Sequence, residues 1–301
     1  MPHKHIKYAI LVSAFLLFLT SMGTVLLFTI GAGHREITRT TEKELRVNLE
    51  SAFGKVYLSR GDPKQICTID IKEADREKAK GKVSYSLEGN VGILDLDLNK
   101  SGSSDFDSGD EDHFNLSDLE VGRWYLRFTD AIPISFNVEL GLGKGDFDCS
   151  GLMVKDFKLS TGASSVVLRF REPNKTMIEN MKIESGVSKF VGESLGNANF
   201  RRLEFSGGVG SYTLDLTGNL RKEVDVKVEV GLGSVTIYVP RDVGTRVQYE
   251  ESWISKVDLD RDFHEKKDGQ CFSDNYKTAS SRMNISVQAG FGQVKIRRTR
   301  P

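Results

Sequence analysis

Between Ile134 and Pro240 the chain alternates apolar and polar residues with a period of two, breaks at a cluster of small residues, and alternates again. The copies read FNVELGLGKGDFDC, FKLSTGASSVVLRF, MKIESGVSKFVGES, LEFSGGVGSYTLDL and VEVGLGSVTIYV. With Gly141, Gly162, Gly186, Gly208 and Gly231 as corner marks, the steps are 21, 24, 22 and 23 residues. A nearly constant step of that size predicts a solenoid in which each copy is one rung. In the second copy Phe157, Leu159, Val166, Leu168 and Phe170 take the apolar side, and Lys158, Ser160 and Arg169 the wet side. Such a strand is stable only when stacked on its neighbours, about 4.8 Å apart, which merges the apolar sides into one column.

The inward positions of the other copies include Val138 and Leu140, Ile183 and Phe190, Leu203, Tyr212 and Leu214, and Val228, Val230, Val235 and Ile237. At roughly 1.5–3 kcal/mol for each large apolar side chain fully buried, two dozen such positions outweigh any single surface ion pair. Gly141, Gly143, Gly162, Gly186, Gly208, Gly210, Gly231, Gly233, Gly290 and Gly292 are the expected structural corners. Backbones come close there, and φ is often positive.

A different pattern opens the chain. Tyr8 to Gly31 is 24 residues without a charge, preceded by the short basic tail 1–7. As a helix it would measure about 36 Å, enough to cross a hydrocarbon core of about 30 Å with some tilt. Ile30, Gly31 and Ala32 make a poor cleavage site, so a membrane anchor is expected over a removed signal peptide. The count of Lys and Arg on either side of the run does not favour export of the body, whereas a short basic start before a long apolar segment does. An extracytoplasmic body is the expectation. Residues 32–44 are expected to form a polar linker.

The alternation resumes at Leu45 to Gly61 and at Gly81 to Asn99, so 45–123 is expected to hold divergent rungs or a capping sheet. Within it, the acidic stretch 101–119 places Asp105, Asp107, Asp110 and Asp112 near one another. The spacing lacks the sixth-position glycine of an EF-hand and has Leu116 where a bidentate Glu belongs, so a solvated loop is expected rather than a calcium site. Residues 124–301 are expected to form the regular solenoid, with Val287, Gly290, Gly292, Val294 and Ile296 making the C-terminus a rung. The fold class is therefore all-β: a single-stranded β-solenoid or β-roll body behind one N-terminal transmembrane helix.

Charge and reactive residues add little chemistry. With 42 basic and 42 acidic residues there is no net charge to draw the chain to nucleic acid. His3, His5, His34, His113 and His264 lack metal-ligand spacing, and Cys67, Cys149 and Cys271 match no zinc or redox motif. No P-loop or nucleophile motif occurs. Two residues before each corner stand Glu139, Ser160, Glu184, Ser206, Glu229 and, in the last copy, Gln288. Two carboxylates two rungs apart lie at the edge of the inverting-glycosidase range, but no aromatic platform or basic partner recurs beside them. No catalytic, cofactor or metal residues are assigned.

The segments WYLRFTDAIPISFNVELGLGKGDFDCSGLMVKDFKLSTGAS, GNANFRRLEFSGGVGSYTLDLTG and VEVGLGSVTIYVPRDVGTRV resemble the toast-rack (DUF2154) family and the related C-terminal domain of LiaF-like cell-wall-antibiotic-response proteins. The resemblance runs over about Leu45 to Arg297. It implies a bacterial, membrane-linked β-solenoid without catalytic residues. It also implies an alternative role, as LiaF-like proteins restrain a membrane kinase system that responds to envelope stress. One apolar run, where LiaF-like proteins have several, sets the chain apart from them. The expectation is a non-enzymatic binding or scaffold module of the cell envelope. Membrane lipid would meet residues 8–31, and the other partner would be a protein or cell-wall component. A carbohydrate-active solenoid enzyme is the third reading.

Overall fold

A computed structural model describes residues 26–30, 33–72, 81–98, 122–220, 223–249, 255–267 and 269–299. In chain order the strands are β1 (Leu26–Ile30), β2 (Gly33–Thr38), β3 (Glu44–Arg60), β4 (Gln65–Lys72), β5 (Gly81–Glu88), β6 (Val91–Asp97) and β7 (Arg123–Phe128). Then come β8 (Ile134–Asp148), β9 (Val154–Arg169), β10 (Ile178–Glu193), β11 (Phe200–Asp215) and β12 (Glu223–Pro240). The chain closes with β13 (Gly244–Tyr249), β14 (Ser255–Leu259), β15 (Phe263–Lys267), β16 (Gln270–Ser273) and β17 (Arg282–Thr299).

Seven of these strands are long, bent at the small-residue corner, and stacked in parallel register in the order β3, β8, β9, β10, β11, β12, β17. Each is one rung. In the five inner rungs both halves of a strand pair with the same two neighbours, which is the solenoid that the 21- to 24-residue step predicts. Alternation of burial changes phase at the corner. In β9 the buried residues are Val154, Phe157, Leu159 and Thr161 before it, and Val166 and Leu168 after it. Four outward residues thus let both halves turn their apolar sides to the same interior. Phe205 and Tyr212, on opposite halves of β11, meet edge to face at 5.2 Å. Between rungs Phe128, Phe136 and Phe157 continue the column at 5.2 and 6.2 Å.

The regular rungs reach back to Glu44, because β3 pairs with β8 along both halves, from Leu45 opposite Ile134 to Leu58 opposite Phe147. The region 45–123 therefore supplies one full rung as well as cap strands. The two ends of the stack mirror each other. β6 lies on the first half of β3 and β7 on its second half. At the other end β13 and β14 lie on the two halves of β17 in the same way. Antiparallel strands follow: β5 on β6 and β1 on β5, β4 on β7 and β2 on β4, β16 on β13 and β15 on β16. Ending a parallel stack in short antiparallel strands removes the long in-register edge that would recruit another chain.

Within the expected polar linker 32–44, Gly33–Thr38 is instead strand β2, paired along β4, and Ile37 and Glu42 are buried. Two further expectations are corrected. The apolar run does not continue as a helix to Gly31, since Leu26–Ile30 is a strand whose residues pair with Tyr85 to Gly81 along the edge of β5. That edge supplies the hydrogen-bond partners that a helix would have found within itself. Residues 8–25 lie outside the described residues, as does the acidic loop 101–119. No helix among the described residues is long and apolar enough to cross a membrane. The second correction concerns backbone shape, because positive φ belongs to Gly143, Gly233 and Gly292 and not to Gly141, Gly162, Gly186, Gly208, Gly210, Gly231 or Gly290. The first glycine of each corner is required by closeness instead, as the geometry below shows.

Candidate interaction surface

The corner is a stack of tetrapeptides: AFGK (52–55), GLGK (141–144), GASS (162–165), GVSK (186–189), GVGS (208–211), GLGS (231–234) and GFGQ (290–293). Their first residues sit on one another. A Cβ built on Gly231 would lie 2.8 Å from the carbonyl oxygen of Gly208, and one on Gly290 2.7 Å from that of Gly231. Above Ala52 of the first rung, side chains are excluded from this row because the rung below fills the space. The third residues, Gly54, Gly143, Ser164, Ser188, Gly210, Gly233 and Gly292, form a second small row.

Between the two small rows stands a line of apolar side chains. Phe53, Leu142, Ala163, Val187, Val209, Leu232 and Phe291 are directly in register through all seven rungs. The six large ones are 38% to 64% exposed, and among the described residues Met177 is the other exposed large apolar side chain. Six intervals of strand spacing make this ridge roughly 29 Å long. Sequence reading marked the glycines and passed over the residue between them. The signal was present as an apolar second residue in every corner tetrapeptide.

On the outer wall before the corner, Glu139, Ser160, Glu184, Ser206, Glu229 and Gln288 fall in one register row, as their spacing predicts. Glu50 extends the row and lies directly beside Glu139. Glu184 is paired with Lys182 at 2.6 Å and Glu229 with Lys227 at 2.7 Å. These are half-exposed pairs of the kind that add little stability. Near the C-terminal end the same wall holds a shallow groove of about 270 Å³. Arg202 and Glu204 of β11, Asp225 and Lys227 of β12, Asn284 and Ser286 of β17, and Arg246 and Gln248 of β13 line it. It mixes both charges, and the Asn284 amide already donates to Glu223 and Asp225 at 2.9 and 3.1 Å. On the wall after the corner, Arg169 bridges Asp146 and Glu193. Burial works against its charge, but the two carboxylates outweigh that and raise its pKa.

Buried polar groups are bound into the frame. Asn174 caps the turn between rungs, donating to the carbonyls of Val154 at 2.7 Å and Ala198 at 3.0 Å and accepting from the Val154 amide. Arg298 donates to Asp262, Thr245, Asn275 and the carbonyls of Arg241 and Val243, pinning the split C-terminal rung. Tyr85 donates to Glu42 at the N-terminal cap. Cys67, Cys149 and Cys271 are buried, and none is in a disulfide. His34 pairs with Asp70 and Glu36, and His264 with Asp274. Hydrogen bonds from His34 to those two carboxylates raise its pKa from 6.5. Among the described residues no group of three His, Cys, Asp or Glu side chains is placed to hold a metal ion.

Residues 30–193, more than half of the chain, match the N-terminal domain of toast_rack, DUF2154. The chain belongs to the toast_rack family. Residues 194–296 of this toast_rack protein match the C-terminal domain described as cell wall-active antibiotics response LiaF. None of the curated proteins matches the sequence. Among solved structures, a candidate cell adhesion protein from Clostridium sporogenes is 17% identical, with a TM-score of 0.41, over 92% of this chain and all of that one. A candidate adhesin from Bacteroides fragilis is 14% identical, with a TM-score of 0.26, over 91% of this chain and 97% of the other. The two family matches fit a module of the cell envelope.

Proposed function

We propose that this toast_rack protein is a non-enzymatic binding or scaffold module of the bacterial cell envelope, tethered to the membrane through its N-terminal apolar run. The observation that carries the reading is the stack itself. Seven in-register rungs present two long walls of outward polar rows, and an extended flat face suits a solenoid to binding a protein or wall polymer. A span confined to residues 8–25 would measure about 27 Å as a helix, close to the hydrocarbon thickness of a bilayer. The body would then stand just outside the membrane, on the extracytoplasmic side. Partner capture tests the reading: photocrosslinkers on the outer wall before the corner, at Lys158 and Arg201, are expected to trap one recurrent neighbour in native membranes. A chain that fractionates with the soluble proteins, or crosslinks without preference, would refute it. A protease-accessible C-terminal tag on intact cells checks the side of the membrane.

A second reading draws on the LiaF-like match over residues 194–296. In it the module regulates an envelope-stress sensor. Deletion would then change the output of a stress reporter under wall-active antibiotics, whereas a scaffold would leave that output intact and disturb assembly at the surface.

A further inference from the structure

The apolar ridge at the corner points to a partner of defined shape. We infer that two copies of this chain pair along it, antiparallel, about a two-fold axis through Val187. Closed homodimers are overwhelmingly two-fold symmetric, and a two-fold axis perpendicular to a straight ridge lays the ridge of one copy against its own reverse. The residues of this ridge read nearly the same in both directions. Phe53 and Phe291 stand at the two ends, Leu142 and Leu232 one rung in, and Ala163 and Val209 on either side of the central Val187. In the antiparallel pair each Phe53 lies beside the other copy's Phe291, each Leu142 beside Leu232, and Val187 beside itself.

The flanks decide how the ridges meet. The first-residue row, glycine in every rung but Ala52, is low, so the two copies can close on that flank with glycine row opposite glycine row beside the meeting ridges. On the opposite flank the central rung carries exposed Lys189, which a two-fold axis would place against its own copy. The glycine side has no such charge next to the ridge, and Glu184, farther back on that wall, is already paired with Lys182. Area agrees with this occupant. The exposed ridge side chains amount to roughly 500 Å², at the upper end of what a monomer leaves bare. A standard interface buries about 800 Å² per partner, so the ridge alone would supply more than half of one. This pairing does not depend on the chain being anchored or on what the walls bind.

Cysteines on the ridge test it in the full chain, since Cys67, Cys149 and Cys271 are buried and stay silent. Under mild oxidation V187C is expected to form a disulfide-linked dimer by itself. F53C and F291C are expected to crosslink only when the two variants are mixed. Sedimentation should show a dimer for the parent and a monomer for V187E with L232E, with an unchanged melting temperature showing that the variant is folded. F53C crosslinking to itself as readily as to F291C would overturn the antiparallel pairing. So would a parent that sediments as a monomer. A monomer whose V187C reacts freely with maleimide, and which floats with phosphatidylglycerol and phosphatidylethanolamine vesicles only while the ridge is intact, would assign the ridge to lipid. A monomer whose V187C is shielded from maleimide would assign it to the chain's own segments.

Discussion

Replacing Gly233 by Ala asks whether corner geometry or composition holds the stack together. Gly233 has φ of +135°, a region that residues with a side chain rarely enter, and its added Cβ would overlap the carbonyl oxygen of Gly210 in the rung beneath. The backbone strain costs about 1–3 kcal/mol. The overlap adds to it, because relief requires moving two rungs apart and stretching the ladder hydrogen bonds on either side. A total of at least about 3 kcal/mol is expected. Gly231→Ala is the matched comparison: its φ is ordinary and the Cβ stands 2.8 Å from the Gly208 carbonyl, so only a milder overlap with the backbone has to be relieved, without strain in φ, for about 1–3 kcal/mol. Lys158→Ala, on the exposed side of β9, should fall within about 0.5 kcal/mol of the parent. At about 2–4 °C per kcal/mol for a domain of this size, the three variants separate in thermal melts followed by far-UV circular dichroism and by buried Trp124. The order of loss should be Gly233→Ala, then Gly231→Ala, then Lys158→Ala. Coincident melting of the two glycine variants would refute the reasoning, since it would mean that neither φ nor rung spacing limits the corner.

Tyr85→Phe removes a hydrogen bond to Glu42, which is 2% exposed, and should cost about 1–3 kcal/mol by denaturant unfolding at pH 7. Burial works to raise the pKa of Glu42, but bonds from Tyr85, the backbone and Thr40 prevail and hold it below the ordinary 4.5. A depressed carboxyl stabilises the fold in full above the unfolded value, and that stabilisation disappears as pH falls through the folded value. The gap between parent and Tyr85→Phe should therefore shrink in acid titrations below about pH 4.5. Arg298→Ala should cost about 3–5 kcal/mol by stranding Asp262 and its neighbours. Its loss of hydrogen-exchange protection should concentrate in β13, β16 and the start of β17, and spread to β3 would contradict that placement. Burial pushes the Cys67 and Cys149 thiols far above their ordinary range, so a thiol reagent should find no reactive cysteine in the native chain and three after unfolding.

The corner shows where sequence reading stops. Alternation within each copy marked Phe157, Leu159, Val166 and Leu168 as interior, and all four are buried, because side-chain direction in a strand is a local property of the backbone. The repeated step likewise announced a stack, since strands that are apolar on one side have no other stable use. Exposure at Val187 or Phe291 is of another kind, because it depends on whether anything covers the corner, which no local pattern reports. The role of Gly231 was legible as a small residue but not as one pressed on the Gly208 carbonyl at an ordinary φ.

Strand identity, buried parity and the rung-by-rung repeat were thus determined by the chain's own order of apolar, polar and small residues, each through interactions a few residues long. Tertiary structure alone decided the neighbours. It set β3 against β8 across four intervening cap strands, and β17 between β12 and the split rung of β13 and β14. Contacts so distant in sequence are chosen by which apolar face closes against which, a competition that is settled only when the whole stack is assembled. The same assembly turned Leu26–Ile30 from the end of an apolar run into an edge strand on β5, and lined seven separate side chains into one ridge.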